Sequence, residues 1–271
     1  MGIFDRYLIV SDMDGTFFGE KASVLPRNME AIRYFHENGG LFTLATGRDV
    51  RVLEYAFPQA PDTLSCPAIL CNGVYMYDYG TGEFFDEMQM DKEEFLSVLA
   101  KVRQSFPEVG FRISSLRGFL CPYVSPFMRE RSASFSSIIL EEDLGAHMDI
   151  PWHKCVFVAD EDTIQRMIEF FSRMEFSSLV SVASSKTLVE LLPIGSGKGG
   201  KIARLKELYP DRTVICVGDF FNDLDMMQVA DVAACPANAL DEIKAISSIH
   251  LCHHREGCIA DLIYKLEHDP A

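Results

Sequence analysis

No apolar run in the 271 residues approaches the roughly 20 residues needed to cross a bilayer. Positive charge is scarce, with 25 Lys and Arg against 40 Asp and Glu and a net charge of −15. So acidic a chain is a poor match for nucleic acid or an anionic membrane surface, and neither is an expected partner. Residues 1–6 show no basic stretch followed by an apolar one, so no signal peptide is expected. Internal repeats and low-complexity linkers are absent from the sequence. Tryptophan occurs once, at Trp152, and is expected to pack rather than stack on a sugar.

The eight cysteines are scattered, and several lie in apolar runs. That suits reduced core thiols in a cytoplasmic protein. His250, Cys252, His253, His254 and Cys258 form a cluster of metal-ligand types. It lacks a second Cys-x2-Cys arm and any known zinc spacing, so zinc is not expected there. The composition, 48% hydrophobic and 24% charged, is that of an ordinary globular protein with length enough for two domains.

What is present is organised around Tyr7-Leu8-Ile9-Val10-Ser11-Asp12-Met13-Asp14-Gly15-Thr16. A short apolar run with a β-branched centre, stopped by glycine, predicts a buried strand ending in a turn. In open α/β sheets chemistry collects just beyond the carboxyl ends of strands, where Asp12 and Asp14 stand. Two close carboxylates repel unless a cation or shared proton intervenes, and Mg2+ is the economical partner. Asp-x-Asp-Gly is also turn chemistry. An EF-hand loop is ruled out, because its first and last ligand positions would be Val10 and Lys21.

Helix and strand patterns alternate from residue 26 to residue 71, as a parallel sheet with crossovers requires. A hairpin signal follows around Tyr79-Gly80-Thr81-Gly82. Between residues 91 and 192, helices mix with antiparallel-looking strands, and residues 112–144 yield no assignment. The alternation returns from Gly195. The expected architecture is α/β, a Rossmann-like doubly wound parallel sheet built from 1–84 and 193–271, with 85–192 inserted as a separate α+β domain.

Further polar residues follow later strands. Thr46 and Gly47 come after the second, and Asp219, Asn222 and Asp223 after the strand at 213–217. Lys198 opens a helix behind Gly195-Ser196-Gly197. Carboxylates, a hydroxyl, a lysine and glycine turns together suit a metal-assisted phosphate site. Singly, each has a plainer reading: Thr46 or Asp49 as a helix cap, Lys198 as a solvated lysine, and Asp219 to Asp223 as capping of the next helix. A P-loop is rejected, because its first Gly would fall at Leu192 and its last position at Gly199.

In their joint order, Asp12-Met13-Asp14-Gly15-Thr16, Thr46-Gly47-Arg48, Lys198-Gly199 and Gly218-Asp219-Phe220-Phe221-Asn222-Asp223 resemble the four motifs of the haloacid dehalogenase-like phosphatase superfamily. The likeness is nearest to its Cof-type sugar-phosphatase branch, which Cys71-Asn72-Gly73 and Pro236-Ala237-Asn238-Ala239 also resemble. Phe17-Phe18 and Pro236 depart from the branch's usual residues at non-catalytic positions.

The resemblance implies that the insert is a C2-type cap that chooses the substrate. It makes Asp12 the nucleophile and Asp14 the proton donor and acceptor. Thr46, Gly47, Lys198 and Asn222 would bind the phosphoryl group, and Arg48 would support the loop or touch substrate. Mg2+ would be held by Asp12, Asp14 through its carbonyl, and Asp219, with Asp223 tuning the set. The expected substrate is a small phosphorylated metabolite, sugar phosphates foremost. Cap arginines Arg112, Arg117, Arg129 and Arg131 are candidates for reading it, although each also fits a solvated surface charge. The alternatives are a phosphohexomutase using the same Asp12, and a sugar-phosphate-binding regulator on a retired enzyme scaffold. Oligomeric state is not legible in the sequence.

Overall fold

A computed structural model describes residues 2–20, 23–115, 118–132, 139–140 and 143–268. The chain divides into two compact units, one of Met1–Glu87 with Gly197–Ala271 and one of Met88–Ser196.

The first unit opens with β1 (Tyr7–Ser11), α1 (Pro26–Glu37), β2 (Leu41–Leu44), α2 (Val50–Ala56), α3 (Ala60–Thr63), β3 (Ala68–Leu70), β4 (Tyr75–Asp78) and β5 (Glu83–Phe85). The second unit holds α4 (Lys92–Ser105), β6 (Gly110–Ser115), β7 (Gly118–Leu120), α5 (Pro126–Ser132), β8 (Ile139–Leu140), β9 (Trp152–Val158), α6 (Glu161–Ser172), β10 (Leu179–Ser185) and β11 (Leu188–Pro193). The chain then returns with α7 (Lys198–Leu208), β12 (Thr213–Val217), α8 (Leu224–Val229), β13 (Val232–Pro236), α9 (Asp241–Ile246), β14 (Ile249–Leu251) and α10 (Cys258–His268).

In the first unit the sheet order is β14-β13-β12-β1-β2, parallel throughout. Strand β1 lies inside this sheet and all five of its residues are buried, which is why it reads as an unbroken apolar run. Leu8 and Val10 from β1, with Val214 and Cys216 from β12, pack against Ile202 and Leu205 of α7 and Met226 of α8. From β1 the chain moves to β2 on one side, and from β12 to β13 on the other. The order therefore reverses between β1 and β12, and a crevice at their carboxyl ends is where such sheets bind ligands.

The third expected parallel strand turns out differently. One parallel bridge joins Ala45 to Ile69, and β3 then pairs antiparallel with β4, and β4 with β5. A short apolar run is the same in either kind of sheet, so the pattern could not separate them.

The second unit is a six-stranded sheet in the order β10-β11-β9-β6-β7-β8, antiparallel except for β7 with β8. Phe95, Val98 and Val102 of α4 and Ile164, Met167 and Phe171 of α6 share one core with Phe111, Ile113, Phe157 and Leu191 of the strands. Trp152 is packing: it is fully buried, meets Phe95 edge-on at 5.8 Å, and donates from Nε1 to the His147 carbonyl at 3.1 Å. Of the four arginines considered above, Arg112 lies over the Phe119 ring at 4.4 Å. Arg117 and the side chain of Arg131 lie outside the described residues.

Candidate active site

Residues 13–17 leave β1 in a wide turn, in which Phe17 N–H donates to the Asp12 carbonyl (3.2 Å) and Phe18 N–H to the Met13 carbonyl (2.8 Å). Gly15 takes φ +89°, and a Cβ there would stand 2.5 Å from Asp219 Oδ2, so only glycine lets this loop approach Asp219. Asp12 itself is buried at the end of β1.

Lys198, at the start of α7, is fully buried, and its Nζ lies 2.6 Å from Asp12 Oδ1 and 2.5 Å from Asp223 Oδ1. Its plainer reading as a solvated helix-start lysine therefore fails. Asp223 Oδ2 accepts from the backbone N–H groups of Asp219 (2.9 Å) and Phe220 (3.1 Å), so Asp223 braces both the lysine and its own loop. Asp219 Oδ1 accepts from the Thr16 hydroxyl at 2.7 Å. One oxygen each from Asp12, Asp219 and Asp223 falls within 4.8 Å of the others, the single such group of potential metal ligands among the described residues.

Two carboxylates thus meet one ammonium and a third stands beside them, so negative charge is in surplus. Burial, then Asp223, pushes the Asp12 carboxyl well above its usual range, although Lys198 pulls it down. Burial, then Asp223, likewise pushes Asp219 up to about 7, opposed by the Thr16 hydrogen bond. Burial works against the charge of Lys198, but Asp12 and then Asp223 outweigh it and hold the lysine above its usual range. A divalent cation at Asp12 and Asp219 would relieve that surplus, so the donor set fits a hard metal with oxygen ligands.

Asp14 points elsewhere. Its side chain is about half exposed, and Arg48 clasps it through both Nε (2.9 Å) and Nη2 (2.7 Å). The Arg48 guanidinium lies 5.5 Å over the Phe18 ring, and Phe17 and Phe18 are both buried. The unusual Phe17-Phe18 pair is thus core packing that also backs Arg48.

Thr46 is buried, with its hydroxyl accepting from Arg48 N–H at 3.2 Å. Asp49, not Thr46, caps α2, by accepting from Val52 N–H at 3.0 Å. Gly47 is confined by Asn72, whose side chain would lie 3.2 Å from a Cβ there. Asn222 donates to Asn72 Oδ1 at 3.3 Å. The sequence reading gave Asn72 no site role; its signal was Cys71-Asn72-Gly73, three successive residues with positive φ. Asp225, also passed over, accepts from Gly199 N–H at 2.8 Å and fixes the start of α7.

The His/Cys cluster forms no metal group among the described residues. Cys252 N–H donates to Asp261, and His253 Nδ1 accepts from Arg255 N–H. His254 and Cys258 turn to the loop after β1 instead, with Nδ1 of His254 on the Phe18 carbonyl and the Cys258 thiol on that of Thr16.

The sequence pattern that defines the haloacid dehalogenase-like hydrolases matches residues 9–263. The chain belongs to that family. Pyridoxal phosphate phosphatase YbhA of Escherichia coli is 24% identical over 95% of this chain and 97% of its own length. 5-amino-6-(5-phospho-D-ribitylamino)uracil phosphatase YwtE of Bacillus subtilis is 27% identical, again over 95% of this chain and 97% of its own. A haloacid dehalogenase-like hydrolase of Bacteroides thetaiotaomicron superposes with a TM-score of 0.83 at 22% identity, covering 96% of this chain and 99% of that one. This haloacid dehalogenase-like hydrolase is a phosphoric monoester hydrolase of the Cof type. No described helix is long and apolar enough to cross a membrane.

Proposed function

We propose that the chain is a Mg2+-dependent phosphatase of small phosphorylated metabolites, sugar phosphates foremost, working through an aspartyl-phosphate at Asp12. The observation that carries this reading is the buried Lys198 held between Asp12 and Asp223, with Asp219 beside them and negative charge in surplus. A balanced structural ion pair has no need of the third acid.

Asp12 attacks phosphorus through a carboxylate oxygen, and the bond to the leaving oxygen breaks. Asp14 gives that oxygen its proton and then takes one from the water that hydrolyses the aspartyl-phosphate. The clasp of Arg48 sets where the Asp14 carboxylate begins. Lys198, Thr46, Asn222 and the backbone at Gly47 bind the phosphoryl oxygens, aimed at charge that grows in the transition state. Asp12, Asp219 and the Asp14 carbonyl would hold Mg2+, with Asp223 behind them. When bound, Mg2+ supplies positive charge that keeps the carboxylates ionised and polarises the phosphoryl group.

The names of the relatives support a small substrate, since one acts on pyridoxal phosphate and another on a 5-phospho-D-ribitylamino compound. The test is p-nitrophenyl phosphate with Mg2+ and with excess chelator, then a sugar-phosphate panel with product analysis. Metal-dependent release of inorganic phosphate is expected. A hexose phosphate isomerised without phosphate release would replace this reading with a mutase, and Mg2+-independent hydrolysis would remove the metal from it.

A further inference from the structure

The four successive carbonyls that follow Asp14 each accept a hydrogen bond from a side chain elsewhere in the same unit. Asn238 Nδ2 donates to the Gly15 carbonyl (2.8 Å), the Cys258 thiol to that of Thr16 (3.2 Å), Asn28 Nδ2 to that of Phe17 (3.2 Å) and His254 Nδ1 to that of Phe18 (2.6 Å). Before them, the Asp12 and Met13 carbonyls accept from the loop's own N–H groups. The Asp14 carbonyl, assigned above to the cation, stands between the two sets.

The donors are themselves aimed. Asn238 Oδ1 accepts from His254 N–H (3.1 Å), and Asn28 Oδ1 from Ala260 N–H (3.1 Å). These bonds fix which end of each amide is the NH2 and so turn it towards the loop. A carbonyl can only accept, so His254 carries a proton on Nδ1. Asn28 and Cys258 are fully buried, where an unmet donor or acceptor is costly. The loop is therefore tied to α1, to the residues after β13 and to the segment around α10, rather than resting on its own short turn.

We propose that Asn28, Asn238, His254 and Cys258 are positioning residues for the reaction at Asp12. By pinning carbonyls 15–18 they hold the Asp14 carbonyl and the Thr16 hydroxyl, which donates to Asp219, in place for catalysis. The His/Cys segment thus has a role with no metal in it. This inference rests on the proposed function, since it needs Asp12 to be the reacting group. Groups that orient a metal's ligands from behind typically cost about tenfold to a hundredfold when removed.

The test uses the full-length chain as wild type, His254→Ala and His254→Asn, where the asparagine Nδ2 stands in for the histidine Nδ1. Cys258→Ala and Cys258→Ser form a second pair. Hydrogen exchange of the peptide covering 12–18 reads the loop, and kcat, KM and Mg2+ half-saturation with p-nitrophenyl phosphate read its consequence. His254→Ala is expected to speed exchange in that peptide, lower kcat about tenfold or more and weaken Mg2+, with substrate KM little changed. His254→Asn recovers most of the loss, and the Cys258 pair behaves in the same way. Unchanged exchange in His254→Ala overturns the brace. Faster exchange with unchanged kcat, or no advantage of Asn over Ala, overturns its role in the reaction. A wild type that stays inert with Mg2+ while exchange still responds overturns the proposed function, and the positioning role falls with it.

Discussion

Each unit buries a lysine against carboxylate, and the two arrangements differ in their charge count. In the inserted unit, Lys154 Nζ lies 2.8 Å from Glu190 Oε2 with each side chain 4% exposed, and the Ser184 hydroxyl donates to Glu190 Oε1. Strands β9 and β11 bring the pair to one face, because Glu190 lies opposite Val156 and Lys154 is two residues from Val156 along β9. In that contact ammonium and carboxylate are matched. In the other unit one ammonium meets Asp12 and Asp223, with Asp219 alongside. A one-to-one buried pair can be purely structural, and apolar residues of similar volume often replace such pairs without loss. A three-to-one group is stable in the dry interior only if protons or a further cation complete it. The comparison separates a pair explained by folding from a group explained by chemistry.

The largest effect expected is at Asp12. Asp12→Asn keeps the shape but removes the nucleophile, and kcat should fall by at least about a thousandfold. Substantial turnover by this variant would mean that the surplus of acid serves something other than covalent catalysis. Lys198→Ala comes next, with kcat/KM lower by about a hundredfold to a thousandfold, as for loss of one contact to developing charge. Steady-state kinetics on p-nitrophenyl phosphate check both.

The inserted pair should respond in the opposite currency, stability rather than rate. Glu190→Ala leaves Lys154 buried without this partner and should destabilise the unit by about 3–5 kcal/mol. The double change Lys154→Met with Glu190→Leu should come back close to wild type. Trp152 is the chain's single tryptophan and lies in this unit's core, so its fluorescence in a urea titration follows this unit alone. A double variant as unstable as the single one would show that the pair carries more than its own charge balance. Replacing Arg48 by Ala should cost less activity than the change at Asp12 or at Lys198. It frees Asp14 without removing it, and a fall in kcat of about tenfold is expected from a lost charge-assisted clasp.

The balance of charge was legible in the sequence only where strand ends declare it. Asp12, Lys198, Asp219 and Asp223 stand at the ends or starts of elements, in an order that matched a family, so their convergence could be expected before any coordinates. Lys154 and Glu190 sit mid-strand in apolar surroundings, and nothing along the chain couples residues 36 apart. Residues 112–144 resisted assignment because β7 and β8 are only three and two residues long. Strands that short carry too little alternation to be seen. The brace on carbonyls 15–18 was equally hidden. Cys258 and His254 lie 242 and 236 residues from their acceptors, and a side chain bonded to a backbone carbonyl imposes no pattern on the residue that accepts. The sequence offered metal-ligand residue types in that His/Cys segment but no zinc spacing, and so no role for it; what the fold makes of His254 and Cys258 is a matter of hydrogen-bond direction.

The smallest effect is also the sharpest test of the surplus. Metal-free, the Asp219 carboxyl is raised to about 7, by burial first and by Asp223 next, whereas in the unfolded chain it titrates near 3.8. Between those values the folded state binds the extra proton, so this group's contribution to stability falls as pH rises from about 4 to 7. A cation at the same carboxylates competes with that proton. Mg2+ should therefore stabilise the first unit more at pH 7.5 than at pH 5.5; mass action sets the whole stabilisation at about 2.7 kcal/mol when Mg2+ is a hundredfold above its Kd, and the difference between the two pH values is a part of that. Asp219→Asn removes both the proton and the ligand and should flatten the difference. The measurement is thermal unfolding followed by circular dichroism, with Mg2+ and with chelator at each pH. Equal stabilisation at the two pH values would mean that Mg2+ does not meet the proton at Asp219, and the three-to-one group would then need another explanation than a cation site.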